Sequence, residues 1–193
     1  MNFIRYLIFI FLICLGVNCA SYNQTVKCIR NKEITENLAT FQNGYYINLP
    51  RDWVAYKDIH CNLVYSPKEN VTDLDTSNST VVSIYGPNIM RTFKSVQNID
   101  ELTHNSINLI HKNFGNPEIF LSKLIHEKYG KYTTLRFKTN ILGDPYVFFS
   151  ANYYFEGLVY KISCSAKERD FNKYIEDFQR IIDSFEILES KNR

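Results

Sequence analysis

The sequence has few of the residues that nucleotide, metal and nucleic-acid sites require. Its 193 residues include 7 Gly and 5 Pro, which excludes collagen-like and low-complexity chains and leaves little room for a Gly-rich phosphate loop. No C-x-x-C or comparable spacing indicates a structural zinc site. The formal charge is +2, from 22 Lys and Arg against 20 Asp and Glu, whereas nucleic-acid-binding domains normally carry a larger cationic excess. We therefore expect no metal, no cofactor and no nucleic-acid partner.

Motifs of the common enzyme classes are missing as well. The chain has no G-x-S-x-G turn, no H-E-x-x-H pair, no P-loop and no Gly-rich dinucleotide turn. Its histidines are His60, His104, His111 and His126. Only His104 and His111 could share a helix face, and they are too far apart for a metal pair, which prefers a spacing of about four residues. We expect a non-enzymatic protein without catalytic residues.

The N-terminal segment has the pattern of an export signal. Arg5 is its only charge, and the apolar run from Leu7 to Val17 is shorter than the ~20 residues that a membrane-spanning helix needs. A short positive segment, an apolar core and then small or polar residues form the secretory pattern. We predict a signal peptide over residues 1–19, followed by a polar tether over residues 20–37.

Cys19 stands at the expected processing site. The residues Leu15-Gly16-Val17-Asn18 before it resemble the lipobox of bacterial lipoproteins, whose cysteine is acylated and becomes the new N-terminus. The usual lipobox has Leu three residues before the cysteine and Gly or Ala directly before it, and this sequence departs from both positions. We predict lipidation of Cys19 and an extracytoplasmic, lipid-anchored protein of the cell envelope. Cleavage by ordinary signal peptidase, which would give a soluble secreted protein, is the alternative.

Three cysteines remain after the signal, an odd number for an oxidising compartment. Cys28, Cys61 and Cys164 allow one disulfide, in any of three pairings, together with one free thiol. They can equally be small buried apolar residues. The sequence leaves both possibilities open.

Periodicity predicts a single α+β domain over residues 38–188, with a short tail over residues 189–193. Apolar residues recur every three to four positions from Ile99 to Phe114, which begins with acidic residues and is followed by Gly115. A second helix is predicted over residues 169–185, with Phe178 in its apolar stripe. Short turns separate the strand-like runs between these helices, so the runs form an antiparallel meander. They cover residues 119–129, 131–142, 146–156 and 158–166.

Shorter strands precede the first helix. They are expected in residues 41–49, 62–66 and 80–85, with Pro50 to Trp53 ending the first of them. We predict that Trp53 packs over an open end of the core rather than contacting a ligand.

The order of elements is similar to that of a known family. Leu49-Pro50-Arg51-Asp52-Trp53 near the start and the F-x-x-I-x-x-S-F segment from Phe178 to Phe185 are the most diagnostic pieces. Over residues 38–188 the chain resembles the PsbP-like fold, including the PsbP-related and DcrB-like lipoproteins of bacteria. The resemblance implies a central antiparallel sheet flanked by helices, an α/β/α sandwich. Members assist photosystem assembly, bind a small GTPase in nuclear transport or act in the cell envelope, and the family shares no catalytic motif. The implied function is to bind or help assemble an envelope partner.

We place the partner-binding surface on the cations Arg136, Lys138 and Lys161. Alternation along the strands sets them opposite apolar neighbours such as Leu135 and Ile162, on a side that the core does not use. The alternative surface is the polar loop 67–79, which lacks the aromatic or Arg anchors typical of binding hot spots.

Two other functions are possible. A hydrolase could use Glu127, Glu156, Asp144 and His126, since paired carboxylates near strand ends can perform acid–base chemistry. A small-molecule or lipid carrier could use Tyr146, Phe148 and Tyr154, which alternate on one strand face. The opposite face of that strand is apolar too, a pattern that burial beneath helices on both sides predicts equally well.

Overall fold

The structure is a computed structural model that describes residues 45–57, 63–70, 80–86, 90, 93 and 95–188. The predicted signal peptide, tether and C-terminal tail lie outside the described residues, as do Cys19, Cys28, Cys61 and His60. Most of the polar loop 67–79 also lies outside them.

Nine strands and two α-helices are present in the described part of the chain, together with a 3-10 turn at Lys68–Asn70. The strands are β1 (Tyr45–Tyr46), β2 (Trp53–Lys57), β3 (Leu63–Pro67), β4 (Val81–Tyr85), β5 (Ile119–His126), β6 (Gly130–Ile141), β7 (Asp144–Phe155), β8 (Leu158–Lys167) and β9 (Glu186–Ile187). The helices are α1 (Ile99–Phe114) and α2 (Glu168–Asp183).

Seven strands form one antiparallel sheet in the order β2-β3-β4-β8-β7-β6-β5. The four strands from β5 to β8 are the predicted meander. Strand β4 pairs with β8 and so connects β2, β3 and β4 to the meander. A separate two-stranded sheet joins β1 to β9. The predicted α+β class, with a central antiparallel sheet flanked by helices, is confirmed.

The two helices cover opposite faces of the sheet. Alternate residues of a strand point to opposite faces, so the residues that contact each helix identify the face that it covers. On β6, Leu135 and Phe137 pack in a cluster with Ile110 of α1. On β8, Ile162 and Cys164 pack in the main core with the buried stripe of α2. That stripe includes Phe178, which is fully buried as its helical spacing predicts.

Helix α1 begins and ends where its capping residues predict. The Asn98 side chain accepts a hydrogen bond from the Glu101 backbone N–H at 2.9 Å, and the Glu101 carboxylate accepts one from the Gln97 N–H at 2.9 Å. The first bond satisfies an N–H group that the first helical turn leaves unpaired, and the second joins the residue before the N-cap to the helix. At the other end, Gly115 adopts the left-handed conformation (φ 72°) that suits glycine.

Two short strands differ from the sequence prediction. Trp53 was expected to mark the end of a strand, but it begins β2, which forms a hairpin with β3. The second helix was expected to reach Phe185, but it ends at Asp183, and β9 follows it to pair with β1. Neither β2 nor β9 has a strong pattern of its own, since five and two residues respectively are too few to show a period.

Cys164 is a free thiol buried in the main core. Burial raises the pKa of this thiol well above its ordinary value, so it stays protonated at physiological pH. Cys164 is thus both a free thiol and a small buried residue, and whether Cys28 pairs with Cys61 stays a prediction because both lie outside the described residues.

Candidate functional site

The three cations predicted to form one surface lie on opposite faces of the sheet. Arg136 and Lys138 pair with Phe149 and Val147 of β7, which face α2. Lys161 pairs with Asn152, and its strand neighbours Tyr160 and Ile162 face α2. Lys161 therefore points toward the α1 side, and the prediction of a single cationic row is wrong. Leu135 and Ile162, taken as one apolar side, belong to different helix layers.

Arg136 and Lys138 both have partners nearby. The Arg136 guanidinium lies over the Phe120 ring, 5.3 Å from its centroid. The Lys138 ammonium donates to Glu168 Oε1 at 2.6 Å, in an exposed ion pair. Whether either residue contacts a partner stays a prediction.

The four residues of the hydrolase alternative are not brought together. Successive turns of a meander alternate between the two ends of a sheet, so Asp144, the first residue of β7, lies at the end opposite His126, Glu127 and Glu156. Asp144 accepts a hydrogen bond from Lys167 at 2.8 Å, which lowers the pKa of its carboxyl. His126 Nδ1 accepts from the Lys128 and Tyr129 backbone N–H groups at 3.1 and 3.3 Å, and so stabilises the β5–β6 turn.

The aromatic residues of the carrier alternative are packing residues. Phe148 stacks on Phe137 with ring centroids 5.0 Å apart, beneath Phe114 of α1. Tyr154 packs against the small cluster that contains Leu102 and Val159. Strand β7 is thus covered by a helix on each face. The described residues also contain no group of three His, Cys, Asp or Glu side chains placed to hold a metal.

One shallow concavity, about 500 Å³ in volume, lies along the outer side of α2 between Glu176 and Ser184. Its polar groups are largely paired with one another. Gln179 Nε2 donates to Asp183 Oδ1 at 2.8 Å, and Arg180 lies 3.7 Å from Asp177.

The start of the polar loop 67–79 is fastened to α2. The Glu69 carboxylate accepts hydrogen bonds from the Lys173 ammonium at 2.6 Å and the Tyr174 hydroxyl at 2.7 Å. These two donors lower the pKa of Glu69. The rest of the loop lies outside the described residues, so its role as a binding surface stays a prediction.

A polar patch occupies the α1 face of the sheet around Lys161. One row crosses four strands through the register pairs Thr133–Asn152, Asn152–Lys161 and Lys161–Tyr85. The adjacent row runs through Ser150–Ser163 and Ser163–Ser83. Directly opposed residues of neighbouring strands have Cβ atoms about 4.5–5.5 Å apart. We call these seven residues the polar rows.

Several atoms of the polar rows lack hydrogen-bond partners. The Asn152 side chain is 0% exposed, and neither its Nδ2 nor its Oδ1 is paired within the described structure. The Ser150 hydroxyl, and that of Ser106 on the buried side of α1, are also unpaired there. Burial lowers the pKa of Lys161 to about 8. The alternation of polar and apolar residues along β8 indicated Lys161 from the sequence. Asn152 was not indicated, because β7 is rich in aromatic residues on both faces and shows no such alternation.

A second unusual surface is the outer edge of the sheet, formed by β5. Four of its apolar side chains are exposed: Phe120 by 54%, Leu121 by 42%, Leu124 by 39% and Ile125 by 80%. Phe120 and Leu124 lie on the α2 side and Leu121 and Ile125 on the α1 side, as their pairing with β6 requires. The sequence missed this surface, because a run with apolar residues on both faces predicts a strand buried on both sides.

Comparisons with known proteins give the fold a name. No family model and no curated protein sequence matches the chain. Among solved structures, the chain is similar to the cyanobacterial PsbP protein CyanoP from Synechocystis sp. PCC 6803, with a TM-score of 0.50 and 11% identity over 89% of this chain and 99% of that one. The chain has a PsbP-like fold. The resemblance stated from the sequence is confirmed at the level of the fold.

Weaker structural similarity extends to two other proteins. LpqN of Mycobacterium tuberculosis, described as involved in cell envelope biogenesis, aligns with a TM-score of 0.47 and 9% identity, over 75% of this chain and 83% of that one. Protein PA94 of Pseudomonas aeruginosa, a protein of unknown function, aligns with a TM-score of 0.44 and 10% identity, over 58% and 74% of the two chains. At 11% identity the similarity to CyanoP shows the fold alone, and function is argued from the site itself. Neither described helix of the PsbP-like domain is long and apolar enough to cross a membrane.

Proposed function

We propose that this PsbP-like chain is a non-enzymatic, lipid-anchored protein of the cell envelope that binds an extended segment of a protein partner along β5. The observation that carries the proposal is the exposed apolar edge strand. Within the described structure, β5 ends the sheet and pairs only with β6.

An edge strand presents backbone N–H and C=O groups that can pair with another strand. Proteins usually protect such edges with inward-pointing charges, bulges, proline or a covering element. Lys123 is the single Lys, Arg, Asp or Glu among the eight residues of β5, and its ammonium is paired with Asp100 at 2.7 Å. The edge is therefore long, apolar and weakly protected, which suits addition of a partner strand.

The side chains of β5 would supply affinity and register. A partner strand that covered them would remove Ile125 and Phe120 from water, and full burial of such a side chain contributes about 1.5–3 kcal/mol before the entropy of association. Because these residues lie on opposite faces of β5, the partner would need apolar residues on both of its own faces. The proposed partner segment is thus a short extended run rich in apolar residues.

The lipid anchor would keep this edge close to the membrane. The export pattern before Cys19 and the polar run from Ala20 to Asn37 support an anchored domain on a tether. Several acyl chains hold a protein on a membrane far more firmly than one does. We expect Cys19→Ala to move the protein from the membrane fraction to the soluble fraction, measured by fractionation of the expressing cells. Unchanged membrane retention would contradict the anchor.

A paired set of variants tests partner binding. Leu121→Glu with Ile125→Glu places two charges on the exposed edge, and Tyr46→Glu with Leu142→Glu places two charges on exposed apolar residues elsewhere. We expect affinity capture from solubilised membranes to lose a specific partner for the edge variant and to retain it for the control. Circular dichroism checks that both variants fold.

Arg136→Glu with Lys138→Glu tests the cationic alternative, and loss of the partner from that variant alone would overturn the assignment to β5.

A further inference from the structure

We infer that the polar rows beneath α1 form a binding site for a small carboxylate that also carries a hydroxyl or amide group. This inference is independent of partner binding along β5, since β5 contributes none of the seven residues. The site consists of the α1-facing side chains of β6, β7, β8 and β4 around Asn152 and Lys161.

The first argument is the unsatisfied Asn152 amide. Its Nδ2 and Oδ1 are fully buried and unpaired within the described structure, as are the Ser150 and Ser106 hydroxyls. Burying an amide without hydrogen bonds costs a few kcal/mol, so native structures rarely leave both of its atoms unpaired. An amide needs a partner that both donates and accepts, which a hydroxyl or amide group on the ligand provides.

The second argument is the charge beside this amide. Lys161 is the direct register neighbour of Asn152, and no carboxylate forms an ion pair with it among the described residues. The buried residues of α1 above the sheet are Leu102, Thr103, Ser106 and Ile110, none of which is charged. A ligand carboxylate would supply the missing single negative charge. A phosphate dianion suits the site less well, since it usually requires Arg or several backbone N–H groups.

The third argument is access. Helix α1 packs over β6 and β7, and Thr103 of α1 contacts Thr133 at 2.9 Å between hydroxyl oxygens. Asn152 and Ser150 lie beneath this cover, whereas Lys161, Ser163 and Ser83 are only partly buried. The polar rows therefore run from a partly exposed end at β8 and β4 to a buried end at β7. A ligand would enter beside α1 and place its carboxylate at Lys161, and its second polar group would reach the fully buried Asn152 amide only if α1 shifts locally.

Protection of Lys161 from chemical modification tests the site. The purified full chain is treated with formaldehyde and a mild reductant, and methylation of each lysine is followed by mass spectrometry with sodium lactate or lactamide present. We expect lactate to slow methylation of Lys161 about tenfold when the site is nine-tenths occupied, because only the free tenth reacts. Lactamide, which has the same shape without the charge, should protect little. Lys138, an exposed lysine on the opposite face, is the internal control.

Variants separate a ligand site from a merely structural polar cluster. Asn152→Leu keeps the branching and the number of non-hydrogen side-chain atoms and removes the unpaired amide, so we expect it to fold and to lose protection by lactate. Ser150→Ala is the second variant if Asn152→Leu does not fold. Absence of protection in the wild type, equal protection by lactamide, or equal protection of Lys138 would each overturn the proposal, and the first result would leave internal water as the partner of Asn152.

Discussion

At the scale of single residues, the α2 face of the sheet pairs the polar groups that it buries. Trp53 Nε1 donates to Asp177 Oδ2 at 3.2 Å, and the Tyr153 hydroxyl donates to the Ile182 carbonyl at 3.1 Å. Tyr45 and Tyr65 share a hydroxyl–hydroxyl bond of 2.9 Å, and burial raises the pKa of Tyr45 to about 12. Satisfied groups of this kind favour one packing arrangement, whereas unpaired ones, such as Asn152, indicate a place for another molecule.

Trp53 is a packing residue, as the sequence predicted. It is buried and makes edge-to-face contacts with Tyr174 and Phe178 of α2, at centroid distances of 6.2 and 6.0 Å. We expect Trp53→Ala to lower the free energy of unfolding by about 3–5 kcal/mol, measured by urea denaturation. Trp53 is the single tryptophan of the chain, so its emission reports this site alone. A native emission maximum like that of free tryptophan would contradict its burial.

Lys161 gives stability a defined dependence on pH. Its pKa is about 8 in the folded protein and near 10.5 in the unfolded chain, so the unfolded state binds more protons between these values and stability rises with pH. Tyr85 of β4 is the titratable residue opposite it. We expect the stability advantage of Lys161→Met, about 1–3 kcal/mol near neutral pH, to shrink as pH approaches 10. The Cys164 contribution, which falls with pH, cancels in this difference. A difference independent of pH would show that the Lys161 ammonium is fully solvated.

At the scale of elements, helix α2 is the main support of the core. Its buried stripe packs against strands from both halves of the sheet and against Phe185, which follows the helix. We expect Phe178→Asp to abolish folding, because it buries a charge without a partner. Asn172→Asp adds a charge to an exposed position of the same helix and should leave the melting temperature nearly unchanged. A native-like melting temperature for Phe178→Asp would contradict the position of the core.

The elements that the sequence predicted best have strong local signals. Helix α1 has its predicted bounds, with Asn98 and Gly115 as caps, and the four meander strands lie within a few residues of their predicted positions. Local patterns could not show which meander strand lies at the edge. Strands β5 and β7 both have apolar residues on two faces, yet β7 is buried and β5 exposed. The meander order itself places β7 between β6 and β8, and the pairing of β4 with β8, a contact between distant parts of the chain, leaves β5 rather than β8 at the edge.

At the scale of the whole molecule, the register between strands determines what a site contains. Alternation places Lys138 and Lys161 correctly within their own strands, but it gives no phase between strands. Only the register sets Lys138 on the α2 face of the sheet and brings Lys161 beside Asn152 on the α1 face. The sequence therefore predicted the class of fold and one residue of the polar rows, whereas the composition of that patch depends on contacts across four strands.

Site-specific photo-crosslinking tests the binding of a partner along β5 most directly. A photoreactive residue replaces Ile125, the most exposed apolar side chain of the edge, or Leu142, an exposed apolar residue in the β6–β7 turn, in the full chain expressed in cells. We predict a discrete adduct from position 125 that position 142 does not give, with the crosslink mapping to an extended apolar segment of another protein. An adduct of twice the chain mass would assign β5 to self-association instead. Identical patterns from both positions, or no adduct from position 125, would contradict partner binding along β5.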